Sequence, residues 1–252
     1  MSKIISSNDN QICTITINNP DKRNAFDNEM SNQVINCIQD AKATNQRAIV
    51  IQANLSHGIF SAGHDLSELT SADEIDNDPM FTMFEQILQS PLPIIAKVTG
   101  DVYAGSLHLL MVCDMVYATN NCNVIITANK MGVPFSLSNY KNWISVMGIH
   151  KIKELFFTAS KIDANDAYNA GIFNAICATE DELNQKIQLV CEQIIACCSE
   201  GISNSKLQLN LLANHVGIDY KDAVLIEQNR HEILNSSAFH DRVKNLLAKL
   251  KH

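Results

Sequence analysis

Ile59-Phe60-Ser61-Ala62-Gly63-His64-Asp65-Leu66, answered about forty residues on by Thr99-Gly100-Asp101-Val102-Tyr103-Ala104-Gly105-Ser106, decides how the rest of the chain is read. In each stretch an apolar, strand-like run breaks into small residues and turns into a helix-like segment. A turn of that kind leaves backbone N–H groups without intrahelical partners. Two such turns brought together are able to hold an anion between them. Glycine at 105 suits that role, because a ligand oxygen has to approach the backbone with no Cβ in the way.

On the N-terminal side, Gln11 to Asn18 alternates, with Cys13, Ile15 and Ile17 on one face and Thr14 and Thr16 on the other, as a half-buried strand does. Asn19-Pro20-Asp21 ends it. Asp27 reads as the N-cap of a helix in which Met30, Val34, Ile38 and Ala41 recur at helical spacing through Lys42. Arg47 to Ala53 reads as a strand buried on both faces. Between the two turns, the polar stretch Ser71 to Asp78 shows no periodicity and reads as a loop able to act as a lid. Phe81, Phe84 and Leu88 mark a short helix stopped by Pro91 and Pro93, and Ile94 to Val98 is a strand running into Gly100.

Past Gly105 a helix carries Leu107, Leu110 and Met111, followed by short strands at Asp114 to Ala118 and Asn123 to Thr127. Lys151 to Thr158 and Asp163 to Ala170 read as helices, the second closed by Gly171 at the C′ position. The final third is helical: Glu180 to Cys198, Ile202 to Asn214, Tyr220 to Leu234 and Phe239 to Leu250. Strands in the first two thirds and helices crowding the end make an α/β protein with a helical C-terminal region.

The 252 residues are 46% apolar, ample for a core. With 19 basic against 27 acidic residues the net charge is −8, which argues against a broad basic face for nucleic acid or anionic lipid. An anionic ligand has to be met by a local cluster. The eight cysteines form no C-x-x-C pair, no secretory leader precedes them, and no apolar run is long enough to span a bilayer. Together these predict a cytoplasmic setting with buried free thiols. His57, His150, His215, His231, His240 and His252 lack metal-ligand spacing, so no metal site is expected.

Phe-Ser-Ala-Gly-His-Asp-Leu, then Gly100-x-x-x-x-Gly105 and Cys113-Asp114, resembles the crotonase (enoyl-CoA hydratase/isomerase) superfamily, whose members bind acyl-CoA thioesters. Gly132-Val133-Pro134 and Lys153-Glu154-Leu155-Phe156-Phe157-Thr158-Ala159-Ser160 read like its methylmalonyl-CoA decarboxylase branch. The likeness runs over nearly the whole chain. It implies a crotonase-like ββα spiral core over residues 1–198 and a helical trimerisation region over 199–252, assembled as a homotrimer or a dimer of trimers. It implies coenzyme A as part of the substrate and no permanently bound cofactor. By resemblance the oxyanion donors are the N–H groups of His64 and Gly105. Ala62 and Leu66 then touch adenine and pantetheine, Lys22 or Arg23 lies beside the CoA phosphates, and Lys249 and Lys251 reach CoA on a neighbouring subunit.

Hydratases of the superfamily use two glutamates to handle water and proton. Here those positions hold His108 and Ala128, so addition of water loses its acid and base, each typically worth ~10²–10⁴-fold. Decarboxylation asks for less, because the electrons of the breaking carbon–carbon bond flow directly into the enolate. The chain thus reads best as a malonyl- or methylmalonyl-CoA-type decarboxylase. A hydratase or isomerase with His108 as acid and base, and an acyl-CoA binder without catalysis, are the other two readings. The decarboxylase branch carries a tyrosine where this chain has Phe135 and a glutamate where it has His108, so the proton donor is open. His108 follows Gly105 by one helical turn and is placed to donate to an enolate, orient a carboxylate, or act as an acid near neutral pH. The side chain of His64, with Tyr103 and Ser136, is a further polar candidate. Asp65 and Asp114 are expected in turn and cap roles, and the acyl pocket is expected to depend on Phe81, Phe84, Leu88, Trp143 and the loop after Leu69.

Overall fold

The computed structural model describes residues 2–55, 58–65, 68, 78–103, 105–126, 129, 137–214, 237 and 241. Antiparallel β1 (Ile4–Asp9) and β2 (Ile12–Ile17) open the chain, and α1 (Asn28–Ala43) follows. One pattern then repeats, a strand in a larger sheet, a strand in a smaller one, and a helix. Its first turn is β3 (Ala48–Ala53), β4 (Ile59–Ser61) and α2 (Pro79–Gln89). The second is β5 (Ile94–Val98), β6 (Asp101–Tyr103) and α3 (Gly105–Val112), and the third is β7 (Met115–Thr119), β8 (Asn123–Ile125) and α4 (Leu137–Thr158). Then come β9 (Lys161–Asp163), α5 (Ala164–Asn169), β10 (Ala175–Cys177), α6 (Glu180–Ala196) and α7 (Ser199–Asn214).

The larger sheet runs β1-β2-β3-β5-β7-β10 and is parallel beyond its first pair. The smaller runs β4-β6-β8-β9 and is antiparallel only at β8–β9. Strand order follows chain order in both sheets, so each repeat advances one strand along each. This is the α/β, ββα spiral that the family resemblance implies. It also brings the ends of β4 and β6, neighbours in the smaller sheet, side by side, and with them the two small-residue turns.

Local chemistry explains the elements. Asp27 caps α1, its Oδ1 accepting from Met30 N at 2.9 Å, and Met30, Val34, Ile38 and Ala41 form the buried stripe. β3 is buried on both faces as expected. Ile49 and Ile51 join the core packed by Met30, Met83 and Trp143, while Ala48 and Val50 join Leu183, Ile187 and Cys191 of α6. Gly171 sits at φ +83, its N–H donating to Tyr168 O at 3.0 Å beyond the end of α5.

Four features depart from the sequence reading. β1 was not foreseen, because only Ile4 of its six residues is buried and no alternation shows. Helix α4 is broken at Gly148, which takes a non-helical φ of +72; its second segment is the helix expected over Lys151 to Thr158, and the segment from Leu137 that precedes it was not expected. β9 and β10 have three residues each, too few to show a period. All eight cysteines are free, but only Cys13, Cys122 and Cys191 are buried; Cys37, Cys113, Cys177 and Cys198 are half-buried, and Cys197, which follows the end of α6, is exposed.

The stretch 71–77, Leu66, Ala104, Ala128, 132–136, Arg242, Lys249 and Lys251 lie outside the described residues, as do the expected helices Tyr220 to Leu234 and Phe239 to Leu250 apart from Asp241. From the region beginning at 199, α7 rests on the spiral. Its buried Lys206 donates to Ile87 O and Leu92 O at 3.0 Å each and to Asp114 Oδ2 at 2.8 Å. No helix among the described residues is long and apolar enough to cross a membrane.

Candidate active site

The first turn is held by a network the sequence reading did not single out. Asn24, fully buried at φ +56, donates through Nδ2 to Asn54 O at 2.8 Å and Phe60 O at 3.1 Å, and its Oδ1 accepts from Asn19 N at 2.8 Å. Asparagine tolerates that left-handed backbone better than most residues. Ser61 Oγ donates to Asn24 O at 2.7 Å and accepts from Gly63 N at 3.1 Å. Segment 23–26 then pairs with 62–65: Ala62 N donates to Arg23 O, Phe26 N to Gly63 O and Asp65 N to Phe26 O. A parallel bridge that uses Gly63 O and Asp65 N leaves the N–H of His64 facing the other way.

That N–H faces the second turn. Gly63 sits at φ +88, and a Cβ built on it would lie 2.9 Å from Gly105 N. A Cβ built on Gly105 would lie 3.2 Å from His64 N and 3.4 Å from Met80 Cε. The two backbones therefore meet with only a small gap between the N–H groups of His64 and Gly105. No hydrogen bond among the described residues uses either donor. Gly105 opens α3, so its N–H is one of the unpartnered first-turn donors, with the positive end of the helix dipole behind it. Ser106 Oγ fixes the spacing, lying 2.8 Å from Ser61 O and 2.6 Å from Tyr103 O, and accepting from Tyr103 N. Chemically, the gap is a candidate cradle, able to hold one oxygen that gains negative charge.

The His64 side chain turns aside from this gap. Nδ1 lies 2.9 Å from Asp65 O, and Nε2 closes on the Asp78 carboxylate. Burial is the largest single influence and works against the charged ring, but Asp78, the Asp65 carbonyl and Glu68 together outweigh it, and the pKa is raised. Asp78 also caps α2, its Oδ1 accepting from Met80 N at 2.7 Å. Asp65 receives Lys22 Nζ at 2.5 Å, which raises the lysine pKa, and the Lys22 side chain remains 54% exposed. Lys22, Arg23 and Ala62 thus adjoin the first turn. Asp114 is structural but caps no helix among the described residues: it accepts from Ile94 N, at the start of β5, and from Lys206 of α7.

His108 lies one turn beyond Gly105 and is 3% exposed, edge-on to Phe84 at 4.5 Å and to Trp143 at 5.6 Å between ring centroids. Its Nδ1 is buried with no hydrogen-bond partner among the described residues. Burial lowers its pKa to about 3, so the ring is neutral at pH 7. This corrects the expectation of an acid working near neutral pH. A groove of about 690 Å³ lined by Met111, Asp114, Val146, Lys206 and Leu209 includes neither the cradle nor His108. Leu66, Phe135 and Lys249 fall outside the described residues. Asn24, Ser61 and Asp78 are what sequence reasoning missed. The one signal available for them was a short polar residue beside each turn or helix start.

The family described as enoyl-CoA hydratase/isomerase matches residues 7–244. Methylmalonyl-CoA decarboxylase of Escherichia coli (strain K12) is 28% identical over 245 residues, covering 96% of this chain and 94% of its own. Probable enoyl-CoA hydratase 2, mitochondrial, of Arabidopsis thaliana is 28% identical over 194 residues, covering 75% of this chain and 64% of its own. A solved methylmalonyl-CoA decarboxylase in complex with 2-nitronate-propionyl-CoA superposes with a TM-score of 0.81 at 27% identity, over 98% of this chain and 96% of that one. With the spiral, the paired turns and a match spanning nearly its full length, the chain belongs to the enoyl-CoA hydratase/isomerase family.

Proposed function

We propose that this chain decarboxylates malonyl- or methylmalonyl-type CoA thioesters, holding the thioester oxygen between the backbone N–H groups of His64 and Gly105. The bond between the α carbon and the carboxylate breaks, its electron pair delocalises onto the thioester oxygen as an enolate, and CO₂ leaves. A proton, delivered by water, then returns to the α carbon. The observation that carries this reading is the pair of unused donors facing a gap that a Cβ would fill. Fixed donors stabilise the enolate without reorganising, and losing one typically costs ~3 kcal/mol.

What surrounds the cradle favours decarboxylation over hydration. Position 108 holds a neutral imidazole among aromatic rings where a hydratase needs a carboxylate. Its Nδ1, without a hydrogen-bond partner among the described residues, serves in this reading as a fixed hydrogen-bonding group for the acyl end, and the apolar surroundings disfavour a charged carboxylate there. In this reading Lys22 and Arg23 meet the CoA phosphates, Ala62 and Leu66 line its path, and Phe135 packs beside the acyl group. Lys249 of a neighbouring copy completes the site in a cytoplasmic homotrimer or dimer of trimers.

The test is CO₂ release from malonyl-CoA and methylmalonyl-CoA, with crotonyl-CoA hydration measured alongside. Release from either β-carboxyacyl-CoA supports the proposal. CoA binding without turnover of any malonyl-type substrate overturns it in favour of a binder. Hydration of crotonyl-CoA that is lost in His108→Ala overturns it in favour of a hydratase.

A further inference from the structure

Both ring nitrogens of His64 face oxygen acceptors, the backbone oxygen of Asp65 at Nδ1 and the Asp78 carboxylate at Nε2. The Asp65 carbonyl only accepts, so Nδ1 carries a hydrogen, and the hydrogen shared between Nε2 and the Asp78 carboxylate completes an imidazolium when it sits on the ring. Only the imidazolium form carries a hydrogen on both nitrogens. Beside an ionised Asp78, a neutral ring would turn a lone pair onto one of the two oxygens. Asp78 is itself buried, and its other oxygen caps α2 through Met80 N, whose side chain borders the cradle.

We propose that Asp78 is a positioning residue of the oxyanion cradle: it holds His64 as an imidazolium, and this charged clamp fixes the backbone N–H of His64 against that of Gly105. The catalytic consequence rests on the enolate reading above, whereas the charge state of the ring does not. One carboxylate thereby ties the first turn, which supplies one donor, to the helix whose first residues pack against the second. The charged groups around His64 are Asp78 at the start of α2, then Asp65 and Glu68 in its own turn. Lys22 from the preceding loop sits on Asp65, and Glu68 is engaged by Asn28 N. The clamp is intact below the raised pKa of His64. It loosens as pH rises through that value, when one of the two contacts sets a lone pair against an oxygen.

The test uses the full chain with Asp78→Asn. Asparagine keeps an N-cap oxygen for Met80 N and offers an N–H to Nε2, so it accommodates a neutral ring without removing the cap. Histidine side-chain nitrogen NMR, assigned with His64→Gln, reads the charge directly between pH 5 and 9. The expected wild-type ring has both nitrogens protonated at pH 6 and a midpoint above 6.5. In Asp78→Asn the midpoint falls by about one unit or more, a tenfold loss of proton affinity. The alkaline limb of kcat moves down with it while KM changes less than about twofold, as expected when a contact made mainly in the transition state is disturbed. A single neutral tautomer in the wild type at pH 6, or an unchanged midpoint in Asp78→Asn, overturns the proposal. An intact imidazolium in a protein that turns over no thioester overturns the enolate reading and leaves the clamp standing.

Discussion

Replacing Gly105 by alanine separates the cradle from the fold that builds it. The added Cβ would stand 3.2 Å from His64 N and 3.4 Å from Met80 Cε, in the gap between the two donors. The methionine end is flexible and gives way, whereas the backbone nitrogen does not. Backbone strain is not at issue, since Gly105 is the first residue of α3 and is not among the glycines at positive φ. The preference of alanine over glycine in a helix, up to ~1 kcal/mol, opposes the cost of this close contact, so Gly105→Ala should still fold, with an unfolding temperature within a few degrees of the wild type. Turnover should fall far more. A methyl group between the donors pushes the thioester oxygen off at least one of them, a loss of about 3 kcal/mol, or roughly 150-fold in kcat. The assay is steady-state release of CO₂ from a β-carboxyacyl-CoA, paired with thermal unfolding. A stable Gly105→Ala protein with kcat within threefold of the wild type would refute the reasoning.

Gly63→Ala should instead fail structurally, because φ +88 is strained for any Cβ and the new atom would meet Gly105 N at 2.9 Å; a lower unfolding temperature checks this. Asn24→Ala removes the bonds to Asn19, Asn54 and Phe60 and leaves buried backbone groups unpaired, so urea unfolding should show a loss of roughly 2–3 kcal/mol. His108 has a folded pKa of about 3 against about 6.5 unfolded, so between those values the unfolded chain binds the extra proton and stability rises with pH. His108→Leu should therefore lose less stability than the wild type on acidification from pH 6.5, by up to about 1.4 kcal/mol per pH unit in urea titrations. Lys206→Met leaves the half-buried Asp114 carboxylate without its cation and should destabilise by about 2 kcal/mol, with Asp114→Asn in the same chain restoring part of it.

The paired turns were legible because their chemistry is written in consecutive residues: an apolar run, small residues, then a helix. Helix α1 was legible for the same reason, with a capping Asp27 and a stripe at regular spacing. What eluded the sequence depends on partners far along the chain. β1 exposes five of its six residues and exists because β2 pairs with it. Asp78 ends a polar stretch with no period, and only the fold reveals that its carboxylate meets a histidine fourteen residues earlier. His108 looked like a ready acid because an isolated imidazole titrates near neutrality. Phe84 and Trp143, packed edge-on from two other helices, remove the water that its charge would need. Spacing brings a residue to a site, but its protonation is set by neighbours that spacing does not name.

The central claim is that the backbone at His64 and Gly105 favours an enolate over a neutral thioester. Isothermal titration of 2-nitronate-propionyl-CoA against propionyl-CoA tests it directly, since the two differ at the α carbon, where the nitronate carries the delocalised charge. If the two donors hold the developing charge, the nitronate binds the wild type about a hundredfold tighter or more, and Gly105→Ala binds the two nearly equally. Equal affinities in the wild type, or a nitronate preference that survives Gly105→Ala, would contradict it.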